Sequence, residues 1–262
     1  MEEAVGGVEG IVGAARGRSA NKSDTDGARD RIIVALDLPD GVQALEMARS
    51  LVGTVGWVKV GMTLFYAEGP QIVRELRALG FKVFVDLKLH DIPHQVEGAC
   101  RMLTRAGADM LTVHASGGRA MLEAAMRSTA AAAQKFGTKP PSVIAVTVLT
   151  SLDDAALAEM GIERAAAEHT VTLAGLARDA GCNGIVCSPN EAEAIRALLG
   201  PDALVVTPGV RPAGEAVGDQ ARTATPGEAI AAGASHLVIG RPITGASDPA
   251  AAARAIRKEI SS

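Results

Sequence analysis

The feature that most constrains this chain is a rhythm. Eight short runs rich in β-branched residues occur at 31–37, 57–61, 82–88, 110–115, 142–149, 184–188, 204–210 and 236–241. Alanine-rich stretches with apolar residues at helical spacing follow them, at 40–53, 68–79, 93–106, 118–135, 164–180, 190–199, 225–233 and 248–259. Strand–helix–strand repetition produces right-handed crossovers, and therefore a parallel sheet covered by helices. Eight is the number of strands that closes such a sheet on itself. No G-x-G-x-x-G follows the first run, as it would in a dinucleotide-binding doubly wound sheet. The pattern predicts an α/β fold, a (β/α)8 TIM barrel, in a single domain over residues 30–262.

Local punctuation agrees. Gly53, Gly80, Gly107, Gly181, Gly200 and Gly233 fall near the ends of predicted helices, where a left-handed residue is often required. Asp40, Asp154, Ser188 and Asp248 stand near helix starts as caps. Residues 1–29 fall outside the rhythm. They carry six glycines among Ala, Ser, Arg and Asp, with poor periodicity, and read as a flexible N-terminal extension.

Charge and cysteine usage exclude several classes. The formal net charge of −4 gives no cationic surplus for a nucleic-acid partner. Cys100, Cys182 and Cys187 form no C-x-x-C pair and have no histidine at zinc-like spacing, which fits a reducing, cytoplasmic protein, and Cys187, in the apolar run Ile185-Val186-Cys187, reads as a small buried hydrophobe. No run of about 18 apolar residues exists, and the acidic start Met1-Glu2-Glu3 has the wrong sign for a secretory signal. Neither a membrane span nor export is expected.

The informative residues are charges embedded in apolar strands. The first strand ends in Asp37. The second, Trp57-Val58-Lys59-Val60-Gly61, contains Lys59. The third runs Val83-Phe84-Val85 into Asp86-Leu87-Lys88, and Asp91 follows in the loop before Pro93. Alternation puts Asp86 and Lys88 on one face; the outward face of a barrel strand packs on helices, so both should point inward, near the mouth. A buried charge costs several kcal/mol unless paired (about that order). Five charges of alternating sign can neutralise one another. The carboxyl-terminal face is also where barrel enzymes carry their active sites.

The histidines carry less. His90, His94 and His114 lie near strand ends without metal-like spacing, so no metal site is expected. His114 should satisfy a hydrogen bond inside the barrel, while His169 and His236 read as surface or packing residues. The last two strands resemble an anion site. Thr207-Pro208-Gly209-Val210-Arg211 and Gly240-Arg241-Pro242 each place glycine and arginine after a strand, where barrels often bind phosphate. A glycine admits close backbone approach and a guanidinium grips phosphate through two parallel bonds. The polar stretch from Pro212 to Thr225, with Gly214, Gly218 and Gln220, suits a lid.

These residues carry a family resemblance over about residues 31 to 257. Phe84-Val85-Asp86-Leu87-Lys88-Leu89-His90-Asp91-Ile92-Pro93 is similar to the D-x-K-x-x-D signature of orotidine 5′-phosphate decarboxylases of the bacterial type. Ala35-Leu36-Asp37, Val58-Lys59-Val60-Gly61-Met62, Val113-His114-Ala115, Ala145-Val146-Thr147-Val148-Leu149-Thr150-Ser151, Thr207 to Arg211, Gly218-Asp219-Gln220 and Gly240 to Thr244 follow in the same order. The resemblance implies decarboxylation of orotidine 5′-phosphate to uridine 5′-phosphate, the last step of pyrimidine synthesis, with no cofactor and no metal. It implies that Lys88 protonates C6 and that Asp86 lies beside the substrate carboxylate. Lys59 and Asp91 complete the charged network, with Asp91 reaching across a homodimer interface. Asp37 and Lys59 are implied to contact ribose, Thr150 the pyrimidine, and Arg211, Gln220, Gly240 and Arg241 the phosphate, with Pro208 beside the substrate. One position departs from the family's D-I-P-x-T: Gln95 stands where threonine usually helps bind ribose.

Two alternatives stay open on the residues. A magnesium-dependent sugar-phosphate decarboxylase or aldolase shares D-x-K-x-x-D but usually has glutamate where Lys59 stands, and a lysine there repels a cation. A non-catalytic nucleotide-binding barrel would keep Arg241 and the lid but lose part of the charged series.

Overall fold

A computed structural model describes residues 22–212 and 224–261 of the chain. A helix α1 (Lys22–Arg31) leads into β1 (Ile32–Ala35), α2 (Gly41–Leu51) and β2 (Trp57–Gly61). Two short helices, α3 (Met62–Glu68) and α4 (Gln71–Ala78), precede β3 (Lys82–Leu89), α5 (Pro93–Ala106), β4 (Met110–His114), α6 (Arg119–Phe136) and β5 (Ser142–Val146). Then come α7 (Asp154–Glu159), α8 (Ala166–Asp179), β6 (Gly184–Val186), α9 (Ala192–Leu199) and β7 (Leu204–Thr207). The chain ends with α10 (Pro226–Ala231), β8 (His236–Ile239), α11 (Arg241–Thr244) and α12 (Pro249–Glu259). The eight strands are parallel, pair in sequence order, and close between β1 and β8, where Ile32 faces Leu237 and Val34 faces Ile239.

The (β/α)8 barrel expected from the rhythm is the observed fold, and all eight strands fall within one or two residues of their predicted starts. Four short helices, α1, α3, α7 and α11, were not predicted; three of them are too short to show a helical period. Part of the extension at 1–29 is helical, since α1 begins at Lys22; residues 1–21 lie outside the described residues. All six helix-end glycines have positive φ, as at Gly107, where φ is 96°. Asp40 and Asp248 cap α2 and α12 as expected. Asp154 serves differently. Asp153 caps α7, and the Asp154 carboxylate accepts from the Ala166 N–H at the start of α8, 2.7 Å away.

Strand alternation divides the core into two compartments. Side chains such as Val34, Val58, Val85, Leu111 and Ile239 point outward and pack under the helices. Ile33, Trp57, Phe84, Met110, Ile144, Val206 and Val238 point inward and fill the barrel's lower interior. Inward positions one step further along the strands are Asp37, Lys59, Asp86 and Thr112. The apolar plug is therefore the floor on which the charged residues stand. Cys187 is the buried hydrophobe expected; all three cysteines are free, and burial raises the pKa of each thiol. Among the described residues, no helix is long and apolar enough to cross a membrane.

Candidate active site

Four of the five charged side chains singled out in the sequence meet at the barrel mouth. Lys88 Nζ lies 2.9 Å from both Asp86 Oδ1 and Asp86 Oδ2. Lys59 Nζ lies 3.6 Å from the Asp86 carboxylate and 2.9 Å from Asp37 Oδ1. Signs alternate along the row Asp37, Lys59, Asp86, Lys88, so each charge faces its opposite. Burial deepens toward the middle: the side chains of Lys59 and Asp86 are 9% and 13% exposed, and that of Asp37 is 62% exposed. Charges this deep are tolerable only because each has a partner.

Gly61 makes the Asp37–Lys59 pair possible. A Cβ there would stand 2.9 Å from both Asp37 Oδ1 and Lys59 Nζ, so a side chain would push the pair apart. The third strand departs from simple alternation. Val85 pairs with Leu111 and Leu89 with Val113, so four steps along β3 match two along β4. Asp86, Leu87 and Lys88 form the resulting bulge, and Lys88 has φ of 52°, the one positive value among the described non-glycine residues. Because the bulge adds an even number of residues, the inward facing of Asp86 and Lys88 survives, although the alternation argument did not foresee the bulge.

Two cavities open beside this row. One, of about 290 Å³, is lined by Asp37, Lys59, Gly209, Arg211, Gly240 and Arg241. The other, of about 180 Å³, places Asp86, Lys88, Thr150 and Pro208 over an apolar base of Phe84, Val146, Val186 and Val206. Val238 lines both, so they lie side by side. The first offers guanidinium groups and backbone at one end and a carboxylate–ammonium pair at the other. The second is a slot with apolar walls and one ammonium. Among the described residues, a Cβ at Gly240 would meet only Ala35 Cβ within 4 Å, at 3.6 Å; Gly240 lines the cavity.

Two predicted site residues lie elsewhere, and a third is not described. Asp91 is exposed, and its Oδ1 accepts from the Ile92 N–H at 2.6 Å. Gln95 is exposed in the first turn of α5 and lines neither cavity. Gln220, with most of the expected lid, lies outside the described residues. The interior hydrogen bond expected of His114 is replaced by a ring contact with His90, centroids 5.4 Å apart. Burial lowers the His114 pKa, helped by His90 and Lys88 and opposed by Asp86.

Sequence reading missed two residues of the site. Gly61 shares the inward face of β2 with Lys59, a signal available in Lys59-Val60-Gly61. Thr112 is fully buried on the inward face of β4 and bonds both to Asp86 and to the Lys88 backbone. Its one sequence signal, a hydroxyl at an inward strand position, is too common to single it out.

The chain's likeness to known proteins runs through this site. Residues 30–256 match the family profile described as orotidine 5′-phosphate decarboxylase / HUMPS family. An orotidine 5′-phosphate decarboxylase of Moorella thermoacetica is 54% identical, over 89% of this chain and 93% of that protein. One of Paramagnetospirillum magneticum is 50% identical, over 87% and 97%. Among solved structures, the Lactobacillus acidophilus orotidine 5′-phosphate decarboxylase has 39% identity and a TM-score of 0.77, over 88% of this chain and 99% of that one. An uncharacterized conserved protein of Geobacillus kaustophilus has 42% identity and a TM-score of 0.77, over 87% and 99%. The match covers every strand that supplies the charged row and both arginine-bearing loops: this chain belongs to the orotidine 5′-phosphate decarboxylase / HUMPS family.

Proposed function

We propose that the barrel, residues 30–262, decarboxylates orotidine 5′-phosphate to uridine 5′-phosphate without metal or cofactor. The observation that carries this is the Lys88 ammonium, gripped by both oxygens of Asp86 at the edge of an apolar slot that adjoins an arginine-bearing cavity. A nucleotide fits the pair of cavities end to end. Phosphate meets Arg211, Arg241 and the Gly240 backbone; ribose hydroxyls meet Asp37 and Lys59; the pyrimidine enters the slot beside Thr150 and Pro208.

The chemistry follows from the charges. Breaking the bond from C6 to the carboxylate releases CO2 and leaves the electron pair on C6, in the ring plane. A fixed ammonium in a water-poor slot stabilises that pair better than mobile water does, because its orientation is already set. Lys88 then transfers its proton to C6 and regains one from solvent. Asp86 holds the ammonium and faces the substrate carboxylate, a like-charge contact that is relieved when CO2 departs. Phosphate binding, remote from C6, supplies energy that orders the site.

Lys59 supports the metal-free reading over a magnesium-dependent one. Its ammonium sits between Asp37 and Asp86, where a divalent ion would need both carboxylates. The exposure of Asp91 and Gln95 supports a homodimer in which Asp91 completes the neighbouring site; the free thiols fit a cytoplasmic enzyme. Gln220 enters this proposal on the sequence alone.

The test is the ultraviolet absorbance of orotidine 5′-phosphate mixed with purified protein and EDTA. Rapid loss with uridine 5′-phosphate formed is expected. Activity that EDTA abolishes would favour the metal-dependent reading. Tight binding of uridine 5′-phosphate with no turnover would make the chain a binding protein, with Gln95 the first residue to revert to threonine.

A further inference from the structure

We infer that Thr112 is a positioning residue for this reaction, acting through Asp86 and the Lys88 backbone without touching substrate; the inference rests on the roles proposed above for Lys88 and Asp86. Its hydroxyl has one proton and two lone pairs. The Lys88 N–H lies 2.8 Å away and, being an amide, donates to the Thr112 oxygen. The hydroxyl's own proton is therefore left for Asp86 Oδ1, 3.0 Å away. The direction of both bonds is fixed by chemistry.

The bulge explains why such a strut is needed. Asp86, Leu87 and Lys88 arch away from the regular ladder, and Lys88 has no paired residue in β4. Lys88 also holds a left-handed backbone that a residue with a side chain rarely adopts. That conformation persists only where surrounding bonds enforce it. Thr112 stands on the regular part of β4, paired with Ile144 of β5, and is fully buried. It is thus a fixed point from which one bond holds the backbone that carries the ammonium and another holds the carboxylate that grips it. Asp86 is the shared member: its Oδ1 receives both the Thr112 proton and the Lys88 ammonium. Without the hydroxyl the carboxylate is free to turn about its last bond, carrying the ammonium off the line to C6. Phosphate and ribose contacts in the neighbouring cavity involve neither bond.

The experiment compares Thr112→Val, which keeps the β-branched shape and loses the hydroxyl, with Thr112→Ser, which keeps the hydroxyl. Lys88→Ala is the control. For Thr112→Val, kcat should fall about 10- to 100-fold, with KM and uridine 5′-phosphate affinity changed less than about 3-fold. Thr112→Ser should recover most of kcat. Should the valine protein not fold, Thr112→Ala, which also lacks the hydroxyl and adds no bulk, carries the same expectation. Wild-type kcat in the variant lacking the hydroxyl, with Lys88→Ala inactive, overturns the role of Thr112 alone. Loss of nucleotide affinity in step with kcat, unrescued by serine, overturns it in favour of a purely structural threonine. Activity retained by Lys88→Ala overturns the site reading and this inference with it.

Discussion

The two ends of the barrel interior solve the same problem in opposite ways. At the carboxyl-terminal mouth, a largely buried pair, Lys59 and Asp86, is flanked by the partly exposed Lys88 and the exposed Asp37, and the four charges neutralise each other in a row. At the amino-terminal end, the inward residues are Trp57 and His236, packed edge to face with ring centroids 5.6 Å apart. Burial pushes the His236 pKa down to about 4, with Lys82 and Arg31 adding to the shift and Asp30 opposing it, so the ring is neutral at pH 7. The charges at that end, Lys82 and Asp30, stay half exposed on the rim. One end keeps buried charge and the other excludes it. Packed apolar groups usually stabilise at least as well as a buried ion pair, so the mouth's arrangement fits the proposed chemistry on a ligand and the opposite end's fits folding.

The strongest way to break that contrast is Lys88→Ala. Turnover should drop by about four orders of magnitude, since the proposed mechanism makes Lys88 both the preorganised charge and the proton donor. Melting temperature should move little, because Asp86 keeps Lys59 and Thr112 as partners. A protein that unfolds instead would mean that the row is structural. Next is Arg241→Ala, expected to lower kcat/KM for orotidine 5′-phosphate about 100- to 1000-fold while barely changing the slow reaction of the bare nucleoside. Equal damage to both substrates would remove Arg241 from the phosphate.

The opposite end is tested by acid. His236 has a folded pKa near 4 against an ordinary value of 6.5, so the unfolded chain binds the extra proton between those values. Its contribution to stability is complete above pH 6.5 and is lost as pH falls toward 4, up to about 3 kcal/mol. Urea unfolding between pH 7 and 4.5 should show a shallower acid loss in His236→Gln than in the wild type. Parallel curves would mean that other groups govern acid unfolding.

The same contrast explains what could be read from the chain. The fold was legible because βα rhythm and helix-end glycines are local. Asp37, Lys59, Asp86 and Lys88 were legible because charge in an apolar strand has few tolerable explanations. Arg211 and Arg241 were legible because their place after β7 and β8 is fixed by topology. Thr112 was not, since a threonine in a strand is ordinary until the bulge beside it is known. Nor was the exposure of Asp91 and Gln95, because the loop after β3 follows a bulge that strict alternation does not contain. The packing of His236 on Trp57 joins residues 179 positions apart at the first position of two strands, which no local pattern records.

The smallest effect sharpens the contrast most. Lys82 bonds Asp30 at 2.9 Å and lies over the Trp57 ring at 5.3 Å, but both ionic side chains are about half exposed. Solvent screening limits such a pair to less than about 1 kcal/mol. Lys82→Met keeps an unbranched chain over the indole and removes the charge. Near pH 7 it should therefore cost little. At pH 4.5 the sign should reverse: without Lys82 nearby, His236 accepts its proton more readily, the folded pKa moves back toward the ordinary value, and acid takes away less stability. Urea midpoints of the variant and the wild type should thus cross as pH falls. A loss of several kcal/mol at pH 7 would show that this end also depends on its charges, and the distinction between a mouth built for chemistry and a floor built for folding would fail.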